Sequence, residues 1–191
     1  MENTLFVVLL TDFGLLDPYV GIMKGVMVSI CSELQWIDLM HQIAPGDIQQ
    51  AAYVLLTAYR YFPKGTHFLC VVDPGVGSER KAILVQTQNY TFVAPDNGLL
   101  SYVLKEQEIV CLIELNNSHY FLNPVSQSFH GRDIFAPVTA YALKGVPLQE
   151  LGSPCEKLIS LPWIEPVWEG NQLLGQIISI DHFGNIVTNF T

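Results

Sequence analysis

Short apolar runs in this chain stop abruptly at carboxylates. Residues 5–10 end at Thr11-Asp12-Phe13-Gly14, and residues 68–72 end at Asp73-Pro74-Gly75-Val76-Gly77-Ser78-Glu79-Arg80. Residues 91–94 end at Pro95-Asp96-Asn97-Gly98, and residues 176–180 end at Asp181-His182-Phe183-Gly184-Asn185. Runs of this length and β-branched content, bounded by Asp, Pro and Gly, predict strands that hand over to tight turns. Between them the apolar spacing becomes helical. Residues 21–30 read as a helix, with Gly21 and Gly25 on one face expected to let backbone approach backbone. Asp47 reads as the cap of a second helix reaching about Phe62, with Gln50 as its capping-box partner, and shorter helices are expected at 99–105 and 138–143. Further strands are expected at 34–39, 82–85, 109–115 and 120–122.

The alternation of strand, loop and helix predicts an α/β fold: a mostly parallel central sheet with flanking helices. From Gly145 to Gly170 the text turns irregular, with Pro147, Pro154, Pro162 and Pro166. We therefore expect an N-terminal domain over 1–150, a linker over 151–171 and a β-hairpin over 172–191, with strands at 173–180 and 186–190.

With 191 residues, half of them hydrophobic, the chain can bury a substantial core. A net charge of −9 with only 9 Lys and Arg argues against a nucleic-acid partner, which would need a basic stripe. Cys31, Cys70, Cys111 and Cys155 are widely spaced and read as free thiols. The first apolar run is too short to cross a membrane and follows Glu2 rather than a basic segment, so neither a membrane partner nor a leader is expected, and the expected location is cytoplasmic.

Candidate chemistry is concentrated in the glycine-containing loops, which hold Asp12, Asp73, Arg80, Asp96, His130, Arg132, Asp133 and Asp181. No nucleophile elbow, phosphate loop, dinucleotide fingerprint or zinc helix motif is present. Asp12, Asp73, Asp96 and His130 could by ligand type hold a metal, but their spacing is not diagnostic and no metal is expected. A set of Asp, Arg and His suggests instead that something is held and polarised by charge: Arg stays protonated, His takes or orients a proton, and Asp fixes one of the others. Structural alternatives stand beside this reading. Asp73 could cap its own turn, His130 could be packed in a capping turn, and Arg132 with Asp133 reads first as an ion pair and helix cap.

Five loops together, Thr11–Gly14, Asp73–Arg80, Ala94–Leu100, Phe129–Pro137 and Asp181–Asn189, resemble the signature loops of the S-adenosylmethionine hydroxide adenosyltransferases, relatives of the fluorinase and chlorinase. The resemblance implies hydrolysis of S-adenosylmethionine (SAM), the substrate, by attack of water or hydroxide at ribose C5′, giving adenosine and L-methionine with no further cofactor. It implies that Asp73, Arg80 and His130 hold the nucleophile and that Asp12 holds the ribose hydroxyls. Phe13, Asp96, Asn97, Asp181, Phe183 and Asn185 would complete the substrate site, with Asp181 at the methionine ammonium. Retention of His130 sets the chain apart from the halogenases. A halide-using adenosyltransferase and a non-catalytic SAM- or nucleoside-binding protein remain the alternatives. The resemblance also implies a homotrimer with sites between subunits, and a small C-terminal β-barrel domain of which this chain would hold only the first hairpin.

Overall fold

Consecutive residues of the first strand feed two different cores. In β1 (Phe6–Thr11), Val7 and Leu9 join one apolar cluster while Val8 and Leu10 join another. The same division recurs in β3 (His67–Val71), where Leu69 and Val71 face one way and Phe68 and Cys70 the other. It recurs again in β4 (Ala82–Thr87) and β5 (Thr91–Pro95). A sheet covered on both faces explains why these runs are continuously apolar rather than alternating. The first core is completed by α1 (Tyr19–Ile30), through Met23 and Met27, and by α4 (Ala136–Leu143). The second is completed by α2 (Ile48–Ala58), through Ala51 and Leu55, and by Val103 of the short α3 (Ser101–Leu104). Each such large side chain, fully buried, contributes roughly 1.5–3 kcal/mol.

The computed structural model describes residues 5–163 and 165–190. The chain divides into two compact units, Met1–Ser160 and Leu161–Thr191.

With β2 (Gln35–Met40), β6 (Ile109–Glu114) and β7 (Ser153–Pro154), the first unit forms one seven-stranded sheet in the order β2-β1-β3-β5-β4-β6-β7. Pairs β2/β1, β1/β3 and β3/β5 are parallel, whereas β5/β4, β4/β6 and β6/β7 are antiparallel. The expected mostly parallel sheet is therefore corrected to a mixed one. The reason is connection length: only Gln88, Asn89 and Tyr90 separate β4 from β5, and a parallel crossover needs a dozen or more residues.

Local departures have local causes. Asp47 caps α2 by accepting the Gln50 N–H at 2.9 Å, but the Gln50 side chain accepts the Ala44 N–H rather than returning to the cap. The helix ends at Ala58 and tightens into a 3₁₀ turn over Tyr59–Tyr61. Residues 118–120 form a 3₁₀ turn instead of leading into a strand, because the Asn117 side chain accepts the His119 N–H. Gly21 and Gly25 of α1 face open space, and the helix buries Val20, Met23 and Met27 instead.

The start of the expected linker belongs to the first unit. Leu151 is fully buried, Ser153–Pro154 extends the sheet beside β6, and Leu158 packs on the second core. In the second unit, β8 (Val167–Glu169) pairs with β9 (Gln172–Leu174) across Gly170-Asn171. The expected strand 173–180 breaks at Gly175-Gln176, and only β10 (Ile177–Ile180) pairs with β11 (Ile186–Thr188).

One glycine tests the placement of that segment. A Cβ on Gly152 would collide with the Glu114 carbonyl at the edge of β6. Gly152→Ala is expected to destabilise the first unit by about 2–3 kcal/mol, read as a lower urea midpoint at unchanged slope. An unchanged midpoint would mean that residues 151–155 are not part of the sheet.

Candidate active site

β3 delivers Val72 and then Asp73 at the carboxyl end of a strand, where ligands of open α/β sheets bind. The chain then folds into two tight turns, with the Val76 N–H on the Asp73 carbonyl and the Ser78 N–H on the Gly75 carbonyl. Gly77, at φ +75°, lies so near residue 127 that a Cβ would sit 2.5 Å from the Gln127 carbonyl oxygen. The turns return Arg80 to Asp73 just before β4 begins.

Three residues converge there. Arg80 Nε donates to both Asp73 oxygens, at 3.1 and 2.9 Å, and Nη2 lies 2.6 Å from Oδ2. The same Nη2 lies 2.6 Å from His130 Nδ1. Side-chain exposure is 9% for Arg80 and 5% for Asp73, so the pair is shielded from water, and the guanidinium stacks 5.1 Å above the Phe135 ring. Because a guanidinium can only donate, His130 Nδ1 accepts and the neutral ring carries its proton on Nε2. Burial, and next the Arg80 charge, hold the His130 pKa below its ordinary value.

His130 is placed by a wide turn of π-helix, Gly131–Phe135, in which the N–H groups of Arg132 and Asp133 both reach the Phe129 carbonyl. Gly131 lets this turn press against the first loop, since a Cβ there would stand 3.1 Å from the Phe13 ring. Arg132 and Asp133 are the ion pair the sequence suggested, at 2.6 Å. Burial pushes Asp133 up, but hydrogen bonds from Arg132 and the Ser126 N–H outweigh it and hold the carboxyl below its ordinary value.

A cavity of about 400 Å³ opens beside the cluster, lined by Asp73 and His130 together with Asp12 and Phe13 of the first loop. That volume suits a small organic ligand. Asp12 accepts the Gly46 N–H at 2.8 Å through one oxygen. Sequence reasoning missed the aromatic wall: Tyr19 packs against Phe13 and Phe129, with ring centroids 6.2 and 5.4 Å away, and all three line the cavity. The available signal was an aromatic directly after Asp17-Pro18, at the start of the helix that follows the first loop.

The remaining candidates lie elsewhere. Asp96 and Asn97, expected at the substrate, are not among the residues lining this cavity. Asp96 lines a separate cavity of about 230 Å³, where it accepts the Ile159 N–H at 2.9 Å and burial raises its pKa. Asn97 instead braces the site, donating to the Val72 carbonyl at 2.8 Å and accepting the Leu99 N–H. Asp181, Phe183 and Asn185 are in the second unit. There Asp181 accepts the Phe183 and Asn185 backbone N–H groups and the Asn185 amide, which ties the β10–β11 turn, while Phe183 is 87% exposed. The conceivable metal set is divided by this arrangement, because Asp96 is in the other cavity.

The profile of the SAM hydroxide adenosyltransferase N-terminal domain matches residues 7–152. The chain belongs to this family. An (R)-S-adenosyl-L-methionine hydrolase of Salinispora tropica is 37% identical over 97% of this chain and 72% of its own length. One from Methanocaldococcus jannaschii is 39% identical over 96% of this chain and 66% of its own. A fluorinase of an Actinoplanes species is 27% identical over 94% and 70%. A crystal structure of an uncharacterised conserved protein from Thermotoga maritima superposes with a TM-score of 0.91 at 40% identity, covering 96% of this chain and 70% of that one. The adenosyltransferase match thus runs from the second residue of β1 to the residue before β7, and includes both loops that build the Asp73–Arg80–His130 cluster.

The cluster's electrostatics can be read directly. Replacing Arg80 by Met removes the cation that depresses His130 and leaves the Asp73 carboxylate, which favours imidazolium, unopposed. The His130 pKa, followed by NMR of the imidazole carbons, is expected to rise above its wild-type value in Arg80→Met. No change would mean that the contact at Nδ1 does not form in solution.

Proposed function

We propose that the chain hydrolyses SAM to adenosine and L-methionine, with Asp73, Arg80 and His130 holding the attacking water. The observation that carries this reading is the single guanidinium shared between a shielded carboxylate and a neutral imidazole, Asp73 and His130, which both line the cavity although Arg80 itself is not among its lining residues. In the step, the water oxygen forms a bond to C5′ while the C5′–S bond breaks. The electron pair goes to sulfur, which leaves as the neutral thioether of methionine, and one water proton is released. A sulfonium leaving group needs neither an acid nor a metal to depart. What must be supplied is a positioned and poorly hydrated nucleophile. Arg80 and the His130 Nε2–H are donors suited to hold that oxygen, and the Arg80 charge favours hydroxide character on it.

Asp12 carries a carboxylate suited to two ribose hydroxyls, and the Phe13, Tyr19 and Phe129 rings give the nucleoside an apolar wall. Asp181 is assigned to the methionine ammonium, with Phe183 and Asn185 beside the nucleoside. Assembly as a homotrimer with sites between subunits is supported by the apolar rim of the cavity, where Tyr19, Ile22 and Phe129 are 37–41% exposed. Among the described residues no helix is long and apolar enough to cross a membrane, which is compatible with a cytoplasmic location. The hydrolases named above share more sequence with this chain than the fluorinase does, and this favours water over halide as nucleophile.

Incubation with SAM in ¹⁸O-water, followed by chromatography and mass spectrometry, tests the assignment. Labelled adenosine and unlabelled methionine are expected; a halogenated nucleoside in the presence of halide, or no product, would replace the reading with one of its alternatives. Arg80→Ala is expected to lower kcat by about a hundredfold or more with a much smaller change in KM. Equal losses would instead place Arg80 on the substrate. Because the neutral ring is the competent form and its pKa is depressed, kcat/KM is expected to hold steady as pH falls through the ordinary histidine value of about 6.5. It should decline only below that, and a decline centred above 6.5 would contradict the neutral His130.

A further inference from the structure

The loop bearing Asp12 is fastened by a second histidine that takes no part in the cluster. Thr11, at the end of β1, is buried, and its hydroxyl lies 2.8 Å from His41 Nδ1. His41 follows β2 and is 4% exposed. Its Nε2 stands 3.0 Å from Asp38 Oδ1 and has no hydrogen-bond partner among the described residues. Asp38 Oδ2 in turn receives Lys24 of α1 at 2.6 Å. The line Lys24–Asp38–His41–Thr11 crosses from a helix through one strand end to the next.

The two ring nitrogens of His41 thus face different groups: Nε2 faces the Asp38 carboxylate, which can only accept, and Nδ1 faces the Thr11 hydroxyl. Thr11 Oγ1 also accepts the Phe13 N–H at 3.3 Å. Two backbone contacts complete the clamp: the Gly14 N–H donates to the His41 carbonyl at 2.7 Å, and the Gly46 N–H donates to Asp12 Oδ2 at 2.8 Å. These contacts tie the first loop to residues 41–46.

We propose that His41 is a positioning residue, which through Thr11 fixes the Asp12–Phe13 loop against the cavity and so sets affinity for the nucleoside part of the substrate. The proposal rests on the hydrolase reading for the identity of that ligand, but the clamp itself is independent of it. His41 touches no residue of the Asp73–Arg80–His130 cluster in any bond described, so it acts on binding rather than on the attacking water. Thr11 is suited to test it because valine has the same shape and no hydroxyl, whereas serine keeps the hydroxyl.

The experiment compares wild type, Thr11→Val, Thr11→Ser and His41→Leu. Hydrogen–deuterium exchange of the peptide covering residues 11–16 reads the clamp whether or not SAM is turned over. Titration with adenosine and the kcat and KM for SAM read its consequence. Faster exchange in Thr11→Val and His41→Leu is expected, with adenosine Kd and SAM KM both raised about tenfold, kcat within threefold, and near-wild-type values in Thr11→Ser. His41→Leu leaves Asp38 and Lys24 facing an apolar group and could unfold the chain, in which case the Val and Ser pair decides. Unchanged exchange in Thr11→Val, or a loss confined to kcat, would overturn the proposal. Wild type that neither turns over SAM nor binds adenosine would instead overturn the hydrolase reading, leaving the exchange result to judge the clamp.

Discussion

Everything at the site depends on Arg80 being held between Asp73 and His130. A guanidinium shielded from water is costly unless its charge is matched and its N–H groups are used. Asp73 supplies the matching charge with both oxygens, and His130 takes a further N–H with a lone pair available only while the ring is neutral. The surrounding structure serves this arrangement. The double turn after β3 brings Arg80 back within reach, Gly77 allows that turn to press on residue 127, and the wide turn after His130 aims the imidazole at the guanidinium. The Asn97 amide holds the Val72 carbonyl one residue before Asp73, so the carboxylate starts from a fixed backbone.

The strands and the cluster were legible because both are written locally. An apolar run ending at Asp and Gly states where a buried strand stops and what is presented there, and Asp73 and Arg80 were read from such a loop; His130 was read from a glycine-containing loop ahead of a helix, and the resemblance to the adenosyltransferases joined the three. The antiparallel half of the sheet was overlooked although the three residues between β4 and β5 announce it, since composition alone does not tell the directions of buried strands apart. Asp96 and Asn97 share the same grammar as Asp73 but end on different partners. A strand end specifies that a polar group is displayed, not which cavity receives it. Gly21 and Gly25 show the converse: helical spacing identifies a face but not what packs on it.

His41 illustrates what single-sequence reasoning does not reach. Asp38 and His41 are three residues apart, a common spacing, and Thr11 is thirty residues from His41 in the chain. Only the parallel pairing of β1 with β2 brings the ends of these strands together, and with them the loop that follows one and the histidine that follows the other. Long-range pairing of this kind is set by the packing of two apolar faces. The polar line is a consequence of that packing, so no polar motif signals it in advance.

The charge of the proposed substrate gives Asp73 a purpose beyond steering Arg80. SAM carries a sulfonium at the reacting centre, and an unmatched guanidinium beside it would repel the ligand it is meant to serve. Two like charges a few ångströms apart in a water-poor cavity oppose each other by several kcal/mol. Pairing Arg80 face to face with Asp73 cancels most of that repulsion at the distance of the sulfur, where the pair is felt as a dipole. At the distance of a hydrogen bond the cancellation fails, and in the proposed reaction the nucleophilic oxygen would still meet an N–H carrying positive charge. A lysine at this position could not make the same division, because its compact ammonium would lack a planar edge for the carboxylate and separate N–H groups for the imidazole and the water. In the proposed mechanism the requirement to favour hydroxide without repelling a cation would thus be met by geometry within one side-chain pair, with the neutral His130 adding a donor without adding a charge.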